Sequence, residues 1–147
     1  MMVTLLSSLL VLTAAAQTPS AEDKPAAVRF EVQIIHATRG KPFVDPSIEK
    51  LSRYLENSFG SRYQRFRRLK NDTMTLGVKE RGTQKLPNGT KLLLTYLGAE
   101  DSLLRLVMEV GGMKTTVKVH DGGLFFQAGR KHKNGMLIVA IRAFTKN

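Results

Sequence analysis

At 147 residues the chain is long enough for one domain and too short for two comfortable ones. A hydrophobic content of 42 per cent argues for a packed core, and the absence of cysteine excludes disulfides, thiolate metal sites, a thiol nucleophile and a lipid anchored on cysteine. A formal charge of +11, from 23 Lys and Arg against 12 Asp and Glu, favours anionic partners such as nucleic acid, acidic lipid or polysaccharide, and is silent about fold.

Met1–Ala16, MMVTLLSSLLVLTAAA, is an apolar run closed by small residues. It reads as a secretory signal peptide cleaved before Gln17, although no Lys or Arg precedes its apolar part. The run is short for a bilayer span, so no transmembrane segment is expected after cleavage. The expected destination is therefore exported, periplasmic or extracellular. Gln17–Ala27, QTPSAEDKPAA, is polar with two prolines and reads as a flexible linker.

Val28–Thr38 alternates as a strand with one buried face. Val28, Phe30, Val32, Ile34 and His36 share that face; Arg29, Glu31, Gln33, Ile35 and Ala37 share the other. After a turn at Arg39–Pro42 comes the one convincing helix, Asp45–Phe59, DPSIEKLSRYLENSF. Asp45 suits the N-cap, Pro46 the first helical position, and Gly60 the stop. Ile48, Leu51, Leu55 and Phe59 form its apolar stripe. Ser61–Lys70, SRYQRFRRLK, reads as a basic strand at a sheet edge, because a doubly covered position would bury unpaired guanidinium groups. Strict alternation puts Arg65, Arg67 and Leu69 on one face, and Phe66, Arg68 and Lys70 on the other.

From Thr73 onward the pattern is an antiparallel meander. Its turns fall at Asn88-Gly89, Gly98–Asp101, Gly111-Gly112 and Asp121–Gly123. Leu124–Ala128 reads as a short strand and Gly129–Gly135 as a basic loop. Met136–Phe144 carries apolar residues on both faces and so reads as a central strand. The expected fold is a single mainly β domain, residues 28–145. It is an antiparallel β-sandwich or half-open barrel of about seven or eight strands, with one amphipathic helix after the first strand.

Chemistry-bearing motifs are sparse. His36, His120 and His132 are the only histidines. His36, His120 and Asp121 would make a two-histidine, one-carboxylate metal site only if distant strand ends met. No serine stands in a nucleophile elbow, and glycines are spaced for turns rather than phosphate loops, so no motif requires a metal or another cofactor. Asn71-Asp72-Thr73 and Asn88-Gly89-Thr90 match the glycosylation sequon and are expected in turns. Val117–Gly129, VKVHDGGLFFQAG, resembles a short stretch of outer-membrane secretins; nothing else of that ring-forming family is present, and no residue role is carried over.

The basic signal lies in two segments. Arg62, Arg65, Arg67, Arg68 and Lys70 form the first; Arg130, Lys131 and Lys133 form the second. Export disfavours nucleic acid as the partner, and Tyr63 and Phe66 alternate to opposite faces, which denies them one stacking platform. The expected function is a non-enzymatic envelope binding or assembly module, with an envelope protein, an anionic polymer or lipid headgroups as partner. The alternatives are a small secreted hydrolase using His36 or His120, and a structural subunit assembling through an exposed strand edge.

Overall fold

A computed structural model describes residues 27–145. The expected signal peptide and all but the last residue of the linker lie outside the described residues. The order of elements is β1 (Val28–Thr38), β2 (Phe43–Val44), a 3-10 segment (Pro46–Leu51), α1 (Ser52–Phe59), β3 (Arg65–Leu76), β4 (Arg81–Lys85), β5 (Lys91–Glu100), β6 (Leu103–Val110), β7 (Met113–Val119), β8 (Leu124–His132) and β9 (Gly135–Phe144). The strands form two sheets, one in the order β2-β3-β1-β9-β8 and one in the order β4-β5-β6-β7. The sandwich expected from the sequence is what forms. Among the described residues no helix is long and apolar enough to cross a membrane.

Two apolar layers hold the fold. Between the sheets, Phe30, Val32 and Ile34 of β1 meet Leu92 and Leu94 of β5 and Leu106 of β6. On the other face of the first sheet, Ile35, Ala37, Phe66, Ile138 and Ala140 lie under Ile48, Leu51 and Leu55 of the helical layer. Strand β9 faces both layers, with Val139 and Ile141 on one side and Ile138 and Ala140 on the other. That is why its sequence is apolar without alternation. Strand β1 also has two buried faces near its end: Ile35 and Ala37 are as buried as Ile34.

The helix differs from the sequence reading in one respect. Asp45 caps it as expected, accepting the Ser47 N–H at 3.0 Å, with Pro46 next. The first turns are 3-10, and Ile48 leaves helical geometry (φ −121, ψ 21) before α1 begins at Ser52. This kink keeps Ile48, Leu51 and Leu55 on the sheet together, all at most 4 per cent exposed. The segment links β2 to β3, which pair in parallel, in an otherwise antiparallel sheet.

Two bulges break the strict alternation. In β3 the register passes from Lys70 opposite Ile34 to Arg68 opposite Ile35, so Leu69 is the extra residue. Lys70 therefore shares a face with Arg65 and Arg67 rather than opposing them. In β8 the register skips Gly129, whose φ of +112° suits glycine. The strand continues through the bulge to His132, so the expected basic loop is the end of a strand. Strand β2 covers only Arg65 and Phe66, so most of β3 does form the edge expected of it. Asn88 sits in its turn, whereas Asn71 lies within β3, because that strand runs unbroken from Arg65 to Leu76.

Candidate anion-binding site

One end of the first sheet gathers the carboxyl end of β1, the start of β3, the end of β8 and the start of β9. The connections there are residues 39–42, 60–64 and 133–134, containing Arg39, Lys41, Arg62 and Lys133 and no carboxylate. At the opposite end, the turns at 77–80, 101–102 and 120–123 carry Glu80, Asp101 and Asp121 against one lysine, Lys79.

On the face toward the second sheet, burial along β1 stops at Ile34, and His36 is half-exposed. Register places Arg67 opposite His36 and Arg65 opposite Thr38. These four residues and Phe43 line a cleft of about 210 Å³. Arg65 is fixed there: it donates to the Lys41 carbonyl at 2.8 Å and its guanidinium stands 5.2 Å from the centre of the Phe43 ring. Arg67 is exposed. Among the described residues no carboxylate lies within ion-pair distance of either arginine, and none lines the cleft.

His132 joins the site from β8. His36 donates its Nε2–H to the His132 carbonyl at 3.0 Å, and the two rings meet edge to face with centroids 5.1 Å apart. Burial, then the charges of His36 and Lys133, lower the His132 pKa from 6.5. The close approach depends on Gly135, where a Cβ would overlap the Ala37 carbonyl oxygen. The sequence offered no clue to the pairing: His36 ends the apolar face of β1, whereas His132 falls within what reads as a basic loop. Their partnership is long-range and carries no local signal.

The other basic residues separate. Lys70 shares the face but pairs with Asp72 at 3.3 Å, and Asp72 also accepts from the buried Gln84 at 2.5 Å. Arg68 points to the helical side, where its backbone N–H donates to Asp45 at 3.2 Å. That bond and those from Ser47 hold the Asp45 carboxyl below its usual pKa of 3.8, with the Ser47 hydroxyl contributing most. Arg62 is exposed in the turn before β3, and Lys131 is exposed on the helical side of β8. Lys133 sits in the β8–β9 turn with φ +52°. Arg130 faces the second sheet and donates to the Val110 and Gly111 carbonyls at 2.6 and 2.8 Å, which makes it an intersheet tie.

The remaining histidine, His120, lies at the opposite end of the sandwich, so His36, His120 and Asp121 are not brought together. Among the described residues no group of three or more His, Cys, Asp or Glu is arranged to hold a metal ion. Tyr63 and Phe66 pack in the layer under the helix rather than forming a stacking platform. Two guanidinium groups and a hydroxyl, with the His36 imidazole beside them, line a concavity that is a suitable host for tetrahedral oxyanions. Comparisons with protein-family models, with curated proteins and with solved structures find no match to this chain.

Proposed function

We propose that this is an exported, non-enzymatic binding module of the cell envelope that holds phosphate or sulfate groups of an anionic polymer or lipid surface. The observation that carries the reading is the cleft formed by Arg65, Arg67, His36 and Thr38, which brings cations together without a carboxylate to neutralise them. Arginine suits such ligands because its planar fork offers paired donors to oxyanions. The turns around the cleft add Arg39, Lys41 and Lys133, so the field extends past one ligand group to a polymer or a surface. The apolar leader at Met1–Ala16 supports export and an envelope polyanion over nucleic acid.

Binding to heparin resin, and to anionic against neutral vesicles, across a salt series tests this reading. Binding should be selective for anionic vesicles and fall steeply with salt. The double variant Arg65→Glu, Arg67→Glu should abolish it, while Lys131→Glu on the other face should leave most of it. Weak binding at low salt, or binding indifferent to the double reversal, refutes the proposal.

A further inference from the structure

Among the described residues four large apolar side chains are exposed: Phe43, Tyr54, Leu69 and Met113. Tyr54 lies within α1, and Leu69 is the bulge residue of β3. Phe43 and Met113 both stand at the His36 end of the sandwich. Phe43 opens β2, opposite Arg65 at the start of β3. Met113 opens β7, just past the turn where the Val110 and Gly111 carbonyls accept from Arg130 near the end of β8. The turns at the opposite end, 77–80, 101–102 and 120–123, have no exposed large apolar residue in or beside them.

Cations surround both side chains. Phe43 is 37 per cent exposed, with the Arg65 guanidinium 5.2 Å from its ring centre and Arg39 and Lys41 in the turn before it. Met113 is 41 per cent exposed, and Lys91, Lys114 and Leu93 stand around it. The nearest carboxylates are engaged: Asp45 caps the helix, and Glu109 pairs with Lys114 at 3.8 Å and Arg81 at 4.0 Å. Glu56 of α1, beside Pro42, is one acid at an end that holds Arg39, Lys41, Arg62 and Arg65. A singly exposed apolar residue is ordinary on any protein surface. Here two stand on opposite flanks of one end, because β2 is the outer strand of the first sheet and β7, the outer strand of the second, lies toward β8. The cleft of His36, Arg65 and Arg67 lies between them.

We infer that the anionic partner is a lipid bilayer, and that Phe43 and Met113 enter its interfacial layer while the arginines between them hold headgroup phosphates. The inference rests on the anion-binding reading and narrows its partner to one source. A soluble polyanion engages cations alone and offers an apolar side chain nothing to enter. A bilayer surface takes both, since anionic headgroups attract Lys and Arg and the boundary beneath them buries apolar side chains. Two apolar side chains on opposite flanks of one end reach a flat surface together. That placement suits a planar partner better than a single chain laid in the cleft.

The chain has no tryptophan, so Phe43→Trp and Met113→Trp each place a single fluorophore at an already exposed position. The probes are heparin and vesicles of phosphatidylglycerol and phosphatidylcholine in equal parts. On the vesicles both emissions should move to the blue and be quenched by lipids brominated on their acyl chains. On heparin neither should move, and Glu80→Trp at the opposite end should respond to neither probe. Met113→Ser should weaken vesicle binding at least about threefold and leave heparin binding as it was, because Met113 lies outside the anion cleft. If Phe43→Trp does not fold, Met113→Trp and Met113→Ser decide. Three results overturn the inference and leave the anion-binding reading standing: heparin bound but vesicles not, vesicles bound with no shift or quenching at either position, or vesicle binding unchanged by Met113→Ser. Binding to neither probe defeats both.

Discussion

His36 and His132 share a hydrogen bond and a face of the sheet, with Arg67 opposite His36, Arg65 beyond it, Lys133 in the adjoining turn and Arg130 two residues along β8. No carboxylate from any of these strands enters the cleft. Folding lowers the His132 pKa, so as pH falls below 6.5 the unfolded chain takes up that proton before the folded one does. The associated stability is complete above 6.5 and is lost as pH falls through the lowered value. A bound dianion opposes this by favouring imidazolium, and linkage requires the reverse effect of equal size. Sulfate, which does not titrate in this range, should therefore bind more tightly at pH 5.5 than at 7.5. It should also raise the His132 pKa in an NMR titration, and His132→Gln should flatten the pH dependence. Flat binding by the native protein would show that the His132 imidazole lies outside the ligand's reach. Gly135→Ala should be more disruptive than the histidine change. Its Cβ would overlap backbone oxygen at Ala37, which belongs to a central strand, so a loss of about 2–4 kcal/mol in urea unfolding is expected.

Elements were legible where a residue's role is local. Asp45 and Pro46 marked the helix start because capping needs only neighbours two residues away, and β9 declared itself central because both faces are apolar. Leu55, fully buried beneath the helix, should cost about 2–5 kcal/mol when changed to Ala, measured as a shift in the urea midpoint with unchanged slope. The bulges were not legible. Alternation assumes a period of two, and the extra residue at Leu69 moves Lys70 to the face of Arg65 and Arg67. Gly129 carries Arg130 past what looked like the end of a strand in the same way. Arg130 also shows why charge alone misleads: its partners are carbonyls in a different sheet. Arg130→Met should leave two acceptors unpaired and cost about 1–3 kcal/mol, yet reduce heparin binding far less than Arg67→Glu does. If both variants lost binding equally, Arg130 would belong to the ligand site as well as to the core.

At the scale of the molecule, the charge excess has a direction. Turns at the His36 end carry cations alone, while Glu80, Asp101 and Asp121 stand in the turns at the other. This polarity was not legible from the order of residues, because it depends on which turns the sheet order brings to the same end. A body charged in this way is oriented by a flat polyanion as well as attracted to it, since the attraction is stronger at the end whose turns carry cations alone. On anionic vesicles the β8–β9 turn should face the surface and the β3–β4 turn the solvent. The absence of cysteine makes the orientation measurable with single labels at Asn134→Cys and Glu80→Cys, both exposed positions. A fluorophore at 134 should become shielded from iodide on binding, and one at 80 should remain quenched as in solution. High salt should release both, because the attraction is screened. Equal shielding at the two positions would mean that the protein lies on its side. The contact surface would then be the flank of the sandwich, and the end-on role of Arg65 and Arg67 would fail.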